Sequence, residues 1–530
     1  MRCRDPKAGG LHLKVEIVLG AGRTLSRCGS RPTQQMKTLF TRAVLSSRTL
    51  MTNRPAEGRF RFFCRGHLAT VTTFMSSATL TVLPMKSRLL VGLTLFSMFF
   101  GAGNLIFPPF LGVEAGTHTW FAMAGFLLTA VGFPILGVIA VAESGGLDAL
   151  ARRVSPAFAF CFTLLIYISI GPALAIPRTA STSFEMVVRP IFDSAGLLES
   201  TVAGVPLLAG SQALYSVLFF LVAFFIALNP EKLTQRLGKC LSPLLILLIL
   251  TLFVGVILNP IGDYGPVTGA YAEGAFARGF IEGYQTMDTI AALNFGLIIA
   301  MNIRAFGVTK ESAIVAETVK AGLIALVVFL VVYGALAHVG AQTGGSFSGL
   351  ENGAQTLTQA AAHLFGPAGA VVLGLIFFIA CLNTCVGLLS CCSNYFRGLI
   401  PAPGYTGWVA IFAILSMIVS NAGLTLILKV SVPVLVAIYP LALVLIVLAL
   451  FTFAAPRLGA MPKLYPVTML VTGVVSVTLA LEGCGLRVPG LSDVLALLPW
   501  AASGLGWVTP AAAAALLTIL WGLATGKKPA

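Results

Sequence analysis

The chain has 530 residues, of which 57% are hydrophobic and 10% charged, and its mean hydropathy is +0.94. Soluble domains carry roughly 25% charged residues, so the composition excludes a soluble enzyme or binding domain. A net charge of +15 suits a nucleic-acid partner, but residues 1–85 hold 14 Lys/Arg against 3 Asp/Glu and so supply +11 of it. We therefore predict an all-α membrane protein that contacts the lipid bilayer and no nucleic acid.

Residues 1–85 are rich in arginine, poor in acidic residues and without sustained helical or strand periodicity. One interpretation is a transit peptide, which shares this bias. The other, which we favour, is a translated upstream region with Met85 as the true start, since a short basic segment before the first apolar span is typical of bacterial membrane proteins. We expect a disordered leader or mis-assigned start at 1–85 and a transmembrane domain at 86–530.

The first apolar run, residues 89–113, contains no charge but includes Gly101, Gly103, Asn104 and two adjacent prolines. Glycines in a membrane helix often only permit close packing, yet this combination predicts a helix break. A break leaves peptide groups unpaired in hydrocarbon, which is tolerated where protein or a filled cavity supplies partners. The half-helix that begins near Asn104 would offer N–H groups to a carboxylate, and the half that ends near Phe100 would offer carbonyls to a cation.

Hydropathy predicts twelve membrane spans of about 20 residues each. They lie near 89–110, 119–142, 157–177, 211–228, 241–258, 286–303, 320–339, 366–390, 406–422, 430–453, 464–482 and 508–526. Basic connections, such as the one with Arg152 and Arg153, alternate with acidic connections, such as the one with Glu114. Because Lys and Arg in short loops stay inside, this alternation predicts that both termini are cytoplasmic.

The first ten spans divide into two blocks of five with similar length, 86–258 and 284–453. Because five is odd, the second block enters the membrane in the opposite orientation, which is the arrangement of an inverted repeat. Spans eleven and twelve, at 464–526, are then two additional C-terminal helices.

Span six corresponds to span one in this arrangement and is the shortest of the twelve. Asp288 and Arg304 limit its uncharged part, which contains Asn294, Phe295 and Gly296. Short or interrupted segments at corresponding positions indicate a binding site near the middle of the membrane. We therefore predict a second break at 294–296, opposite the first.

Motifs that carry a family resemblance are spread over the chain. They are FFGAGNLIFPP at 99–109, GVIAVA at 137–142, ARRVSP at 151–156, IGP at 170–172, AIPRTA at 175–180, LNPEKL at 228–233, EGYQTMD at 282–288, ACLNTCVGL at 380–388 and SVPVL at 431–435. In this order they resemble the branched-chain amino acid transport system II carrier family (BrnQ-type). The resemblance covers nearly everything after residue 85 and none of the leader.

The resemblance implies cation-coupled uptake of leucine, isoleucine and valine across the cell inner (cytoplasmic) membrane. It implies a leucine-transporter-like 5+5 inverted repeat, as in the APC superfamily, with helices one and six broken. Neither a cofactor besides the coupling ion nor an obligatory protein partner is implied.

The resemblance also implies two sets of site residues. The main chain that holds the amino acid belongs to span one: Gly101, Ala102, Gly103 and Asn104. A sodium ion would lie between spans one and eight: Ser97, Phe100, Ala380, Asn383 and Thr384. Asn383 departs from the family pattern, which has threonine there, but it still offers an oxygen.

Further residues complete the predicted substrate site together with Gly296. Tyr167 either caps the carboxylate, as a tyrosine does in the wider superfamily, or is an ordinary packed aromatic residue. Asn294 is a candidate ligand because an amide at bilayer depth is costly without a partner, and Phe295 is expected to line the alkyl pocket. We interpret Arg178 as a structural or gating ion-pair partner rather than a ligand, while Asp288 either caps span six or attracts cations.

Sodium is favoured over protons as the coupling ion, because span five carries no charge where proton-driven relatives of this fold place a lysine. Proton coupling stays open. A channel is disfavoured because charged rings and repeated filter loops are missing. An intramembrane enzyme would need an acid–base pair or a metal cluster within the spans, and the five histidines lie in the leader, in loops or near a span end. We therefore predict a symporter and no enzyme.

Overall fold

A computed structural model describes most of the chain. The described residues are 12–19, 58–64, 67–76, 82–197, 199–202, 204–228, 246–247, 249–269, 271–459 and 461–524. The chain divides into two compact units, one of Met1–Thr81 with Gly307–Thr309 and one of Val82–Phe306 with Lys310–Ala530.

The first unit contains a three-stranded antiparallel sheet. Its strands are β1 (His12–Leu19), β2 (Gly58–Cys64) and β3 (His67–Ser76), and β3 pairs with both others. The sequence analysis predicts no strand here, although residues 70–73 are a β-branched run that favours extended chain. The division at residue 85 into a leader or mis-assigned start and a membrane domain stays a prediction.

The second unit is built from helices, with one short ribbon of β4 (Thr201–Val202) and β5 (Val205–Pro206) among its described residues. In chain order its helices are α1 (Met85–Phe99), α2 (Ala102–Ala115), α3 (Thr119–Leu127), α4 (Phe133–Ser144), α5 (Leu147–Ala151), α6 (Pro156–Ile168), α7 (Ala175–Val187), α8 (Arg189–Ser194), α9 (Leu207–Ala227), α10 (Ile249–Leu258), α11 (Tyr271–Glu282), α12 (Asp288–Ala305), α13 (Glu311–Ser346), α14 (Gly353–Leu399), α15 (Gly404–Ser420), α16 (Leu424–Ala454), α17 (Pro456–Gly459), α18 (Leu464–Gly483), α19 (Leu491–Ala496) and α20 (Val508–Ala524).

Seven helical stretches of the described chain are long and apolar enough to cross a membrane. They are Ala102–Ser144, Pro156–Phe192, Leu207–Ala227, Glu311–Ser346, Leu373–Leu399, Leu424–Ala454 and Leu464–Gly483. The shorter apolar helices α10, α15 and α20 overlap predicted spans five, nine and twelve, and residues 241–245 and 248 of span five lie outside the described residues. The predicted all-α class is confirmed, whereas the count of twelve spans and the inverted repeat stay predictions.

Span one is broken, as predicted. Between α1 and α2, Phe100 and Gly101 have extended backbone. A Cβ on Gly101 would lie 2.9 Å from Thr384 Oγ1, so a side chain at this position would displace Thr384 of α14. The second half-helix begins two residues before the predicted Asn104, and the two adjacent prolines lie inside it.

Span six is also broken, but the predicted position is wrong. Residues 294–296 lie within α12, which is continuous. The break falls between α11 and α12, where Gly283–Thr286 forms a 3-10 turn and Met287 adopts left-handed backbone with φ 64°. The first half, α11, carries three charged residues, two of which, Arg278 and Glu282, pair at 3.3 Å. These charges lower its hydropathy, so a search for apolar segments finds only the second half, α12.

Glycines at helix crossings position the two broken spans. Helix α2 packs against α13, and a Cβ on Gly112 or Gly340 would overlap the main chain of Ala337 or Pro109. Small residues permit such close approach between membrane helices. Helix α12 packs against α4 in the same way, since a Cβ on Gly296 would lie 2.9 Å from a main-chain oxygen of α4. Gly296, predicted as a substrate-binding residue, lies at this helix crossing, and its role in binding stays a prediction.

Candidate functional site

A small cavity lies at the two helix breaks. Its walls come from the facing ends of α1 and α2, from the turn before α12 and α12 itself, from the kink before α7 and α7, and from α14. In transporters with discontinuous helices, substrate and ion sites lie at such breaks.

The first break places the start of α2 at the cavity. Gly101, Ala102, Gly103 and Asn104 all line it, as the sequence analysis expects. The N–H groups in the first turn of a helix have no acceptor within that helix and lie at the positive end of its dipole. Gly101 N–H donates to Asn104 Oδ1 at 3.0 Å, which leaves the following N–H groups for a ligand. This segment can bind an anion.

The side chain of Asn104 connects the first break to α12 and α13. Its Nδ2 donates to a carboxylate oxygen of Asp288 and to the hydroxyl of Tyr333. All three residues are buried. Because the amide oxygen accepts from Gly101, the whole amide is engaged by protein. The main chain of Asn104, rather than its side chain, is therefore available to a ligand.

A buried arginine lies on the α7 side of the cavity. Arg178 is 4% exposed, and its Nη1 donates at 2.7 Å to the carbonyl of Gln285 in the second break. Its guanidinium lies 5.4 Å from the centroid of the Phe107 ring, within range of a cation–π interaction. Arg178 directly follows predicted span three, which ends at residue 177. The helix continues beyond a π turn that is kinked at Gly171, and this continuation buries the arginine.

The remaining wall is apolar. The rings of Phe99 and Phe295 lie 5.8 Å apart between centroids, and Ile170, Ala291 and Leu388 line the same cavity. Phe295 is thus placed where the sequence analysis expects it. The cavity therefore combines charged groups with a hydrophobic wall, as a small amphipathic ligand requires.

The predicted ion-site residues lie near the end of α1 and on α14: Ser97, Phe100, Ala380, Asn383 and Thr384. Thr384 lines the cavity against Gly101, and its hydroxyl donates to the Ala380 carbonyl at 3.1 Å. Among the described residues, no group of three or more His, Cys, Asp or Glu could hold a metal ion. A cation at this position would therefore depend on carbonyl, hydroxyl and amide oxygens.

Two predicted ligands lie elsewhere. The ring of Tyr167 stacks on Tyr395, with centroids 3.8 Å apart and planes inclined by 9°. Asn294 is buried in α12, and its Nδ2 has no hydrogen-bond partner among the described residues. Neither residue is among those that line the cavity. Tyr167 corresponds to the packed aromatic residue that the sequence analysis kept as an alternative.

The sequence analysis missed three contributors: Arg178 as a cavity residue, Asp288 as the partner of Asn104, and Tyr333. The motif at 282–288 was a signal for the second break, because it places polar residues and a glycine beside an apolar helix. Tyr333 lies in the long apolar helix α13, and its role depends on a contact that no local pattern reveals.

Comparison with known proteins agrees with this architecture. A model of the family described as "Branched-chain amino acid transport protein" matches residues 84–525. The branched-chain amino acid permease BraB of Bacillus subtilis is 39% identical over 82% of this chain and 95% of its own length. The branched-chain amino acid transport system 2 carrier protein of Pseudomonas aeruginosa is 39% identical over 83% of this chain and 97% of its own length. The branched-chain amino acid permease BrnQ of Escherichia coli K12 is 36% identical over 84% of this chain and 98% of its own length.

Solved structures show the same fold. Mhp1, a nucleobase-cation-symport-1 family transporter, in a closed conformation with bromovinylhydantoin bound, superposes with a TM-score of 0.52 at 12% identity. The likeness covers 83% of this chain and 93% of that chain. The inward-facing conformation of Mhp1 gives 0.51 at 13% identity. At this identity the similarity concerns the fold alone, and it confirms the multi-pass transporter fold expected from the sequence.

Proposed function

The chain belongs to the branched-chain amino acid transport protein family, and from this premise we propose that it is a secondary symporter that imports leucine, isoleucine and valine together with Na⁺. We place it in the cell inner (cytoplasmic) membrane with both termini in the cytoplasm, because basic and acidic connections alternate along the sequence. The proposal includes no cofactor and no obligatory protein partner.

The observation that supports this function most directly is the composition of the cavity wall. A branched-chain amino acid has one carboxylate, one ammonium group and a branched alkyl group. The cavity offers Arg178 and the N–H groups of α2 to an anion, Asp288 to a cation, and Phe99 with Phe295 to an alkyl group. One buried base and one buried acid balance each other, so a zwitterion adds no net charge to a low-dielectric site.

We assign the substrate orientation from these groups. The carboxylate accepts from the N–H groups of Ala102, Gly103 and Asn104 at the start of α2. The ammonium group donates to the free carbonyls at the end of α1 and to Asp288. The alkyl group packs against Phe295, where burial of each CH₂ contributes about 0.8 kcal/mol.

Sodium is proposed to bind beside the substrate, between the end of α1 and α14. The hydroxyl of Thr384, the carbonyls of Ala380 and Phe100, and oxygens of Ser97 and Asn383 are its proposed ligands. Contact between Thr384 and Gly101 supports this position, because it brings an oxygen of α14 to the first break. An ion here would join the two helices, so that substrate binding and ion binding favour the same arrangement.

Proton coupling is the second candidate, and Asp288 is the observation that favours it. A buried carboxylate that lines a substrate cavity can carry a proton through a transport cycle. The two hypotheses differ in which gradient drives accumulation.

Uptake of labelled leucine into liposomes that contain the purified protein tests both. We expect accumulation above equilibrium with an inward Na⁺ gradient, none with choline in its place, and competition by valine and isoleucine but not lysine. Protein-free liposomes supply the background. Accumulation driven by a pH gradient without Na⁺ would select the proton hypothesis. Failure of leucine to enter under either gradient would overturn the proposed function.

A further inference from the structure

Arg178 is buried more completely than its protein contacts explain. The residue is 4% exposed, and removal of its charge from water is costly unless partners replace the lost hydration. The described residues accept one hydrogen bond from it, through Nη1, at the carbonyl of Gln285. Nε has no hydrogen-bond partner among the described residues. A buried guanidinium with an N–H donor that has no protein acceptor indicates that a ligand supplies the acceptor.

The contacts of Arg178 determine which edge of the guanidinium is available. Gln285 occupies Nη1, and the Phe107 ring lies against the guanidinium at 5.4 Å. Nη2 lies against Gly103, since a Cβ on that glycine would be only 2.8 Å away. The edge formed by Nε and Nη2 thus makes no hydrogen bond to the described residues. This edge carries two parallel N–H donors at the spacing of a carboxylate.

The same edge lies beside the first turn of α2. Gly103 belongs to that turn, whose free N–H groups already favour an anion. Arg178 therefore adds a fixed positive charge to the anion-binding end of the cavity. Asp288 lines the same cavity and attracts Arg178, so the two charges can separate onto the two ends of a zwitterion.

We propose that Arg178 binds the α-carboxylate of the transported amino acid through Nε and Nη2, an assignment that rests on the proposed function. Arg178 is then the residue that selects amino acids over amines and alcohols of the same shape. Its hydrogen bond to Gln285 transmits this recognition to the second break, because occupation of one guanidinium edge orients the other. Gly103 is required because a side chain there would push the guanidinium away.

The test compares two ligands that differ only in the carboxylate: leucine and leucinol, in which a CH₂OH group replaces it. Binding to the purified, detergent-solubilised protein is measured for the unaltered protein and for Arg178→Lys and Arg178→Gln. A charge-assisted bidentate contact should contribute roughly 10- to 150-fold in affinity. We expect the preference for leucine over leucinol to fall by about this factor in Arg178→Gln and by less in Arg178→Lys.

A purely structural role for Arg178 predicts a different result. Affinity for both ligands would then fall together and their ratio would be preserved, which would overturn the proposal. The exposed Arg487 supplies the matched control, since Arg487→Gln changes the same charge outside the site and should leave both affinities unchanged.

A second variant controls for a loss of folding in Arg178→Gln. Arg178→Gln leaves Asp288 unbalanced, so Arg178→Gln with Asp288→Asn removes both charges and should restore the melting temperature. If the double variant folds and still prefers leucine as strongly as the unaltered protein, the proposal is wrong. If the unaltered protein binds neither leucine nor leucinol, the proposed function itself fails, which is a distinct result.

Discussion

The two helix breaks face one cavity but are held in different ways. The first is short, with Phe100 and Gly101 extended, and it is closed by a side chain of its own helix, Asn104. The second is longer, with a 3-10 turn and a left-handed Met287, and it is held from outside by Arg178 of α7.

This difference assigns the breaks different parts in transport. A break that is capped within its own helix can keep its shape while that helix moves as a unit. A break that is held by a residue of another span changes when the two spans move apart. We therefore expect changes at the first break to affect stability and the binding of substrate and ion, and changes at the second to affect movement between spans.

The largest effect is expected at Gly103. A leucine there would meet Arg178 and the Phe107 ring, because even a Cβ would lie 2.8 Å from Nη2 and 3.2 Å from the ring. Gly103→Leu should abolish leucine uptake into liposomes while the chain still inserts and purifies as a monodisperse species. Gly387→Leu is the matched control, since no atom lies within 4 Å of a Cβ at that position. Full uptake by Gly103→Leu would contradict the role given to the first break.

The next effect is expected on stability at Asn104. Asn104→Ala removes the acceptor for Gly101 N–H and the donors to Asp288 and Tyr333, and it leaves a buried carboxylate with fewer partners. The free energy of unfolding in detergent should fall by about 3 kcal/mol. Asn421→Ala is the control, because Asn421 is exposed and donates within its own helix turn at 2.7 Å. Equal losses in the two variants would show that the Asn104 network does not hold the break.

A smaller effect is expected on ion dependence at Thr384. Thr384→Val keeps the shape of the side chain against Gly101 but removes Oγ1, one of the proposed sodium ligands. The Na⁺ concentration for half-maximal uptake should rise about tenfold, equivalent to about 1.4 kcal/mol. Thr384→Ser retains the oxygen and should preserve the sodium dependence. An unchanged dependence in Thr384→Val would place the ion elsewhere.

The two breaks also differ in how far the sequence predicts them. The first lies in an uninterrupted apolar run, so two glycines and an asparagine are visible against a uniform background. The second is flanked by α11, whose charged residues make it resemble a loop. Hydropathy measures similarity to lipid, whereas residues that face a protein cavity need not resemble lipid at all. The sequence pattern therefore predicts the break in the apolar half, at 294–296.

The burial of Arg178 is likewise not predicted by hydropathy. In a hydropathy profile, an arginine that follows a Gly-Pro pair indicates the end of a span. Predicted span three therefore ends at residue 177. The π turn at Ser169–Ala173 instead kinks the chain and lets α7 continue. Arg178 therefore lies in the protein interior, where it contacts Gln285 and Phe107. These partners lie in other spans, so the burial follows from tertiary packing and not from local sequence.

The smallest effect is expected at Thr286, whose side chain caps the second break. Thr286 is buried, its Oγ1 donates to the Gly283 carbonyl at 2.9 Å, and it accepts a long hydrogen bond from Asp288 N–H at 3.4 Å. Thr286→Val should reduce the free energy of unfolding by about 1 kcal/mol, since one good hydrogen bond of a neutral hydroxyl is lost. The exposed Thr251, whose hydroxyl donates to the Leu247 carbonyl at 2.8 Å, provides a Thr→Val control with an expected loss near zero.

The ratio of this loss to the loss in Asn104→Ala is the informative quantity. A clearly larger loss at Asn104 is expected, because that side chain makes three hydrogen bonds and one of them reaches a carboxylate. If Thr286→Val destabilised the protein as much as Asn104→Ala, the second break would depend on its own cap. Arg178 would then not be what holds it, and the contrast between a break capped from within and a break held from another span would have to be abandoned.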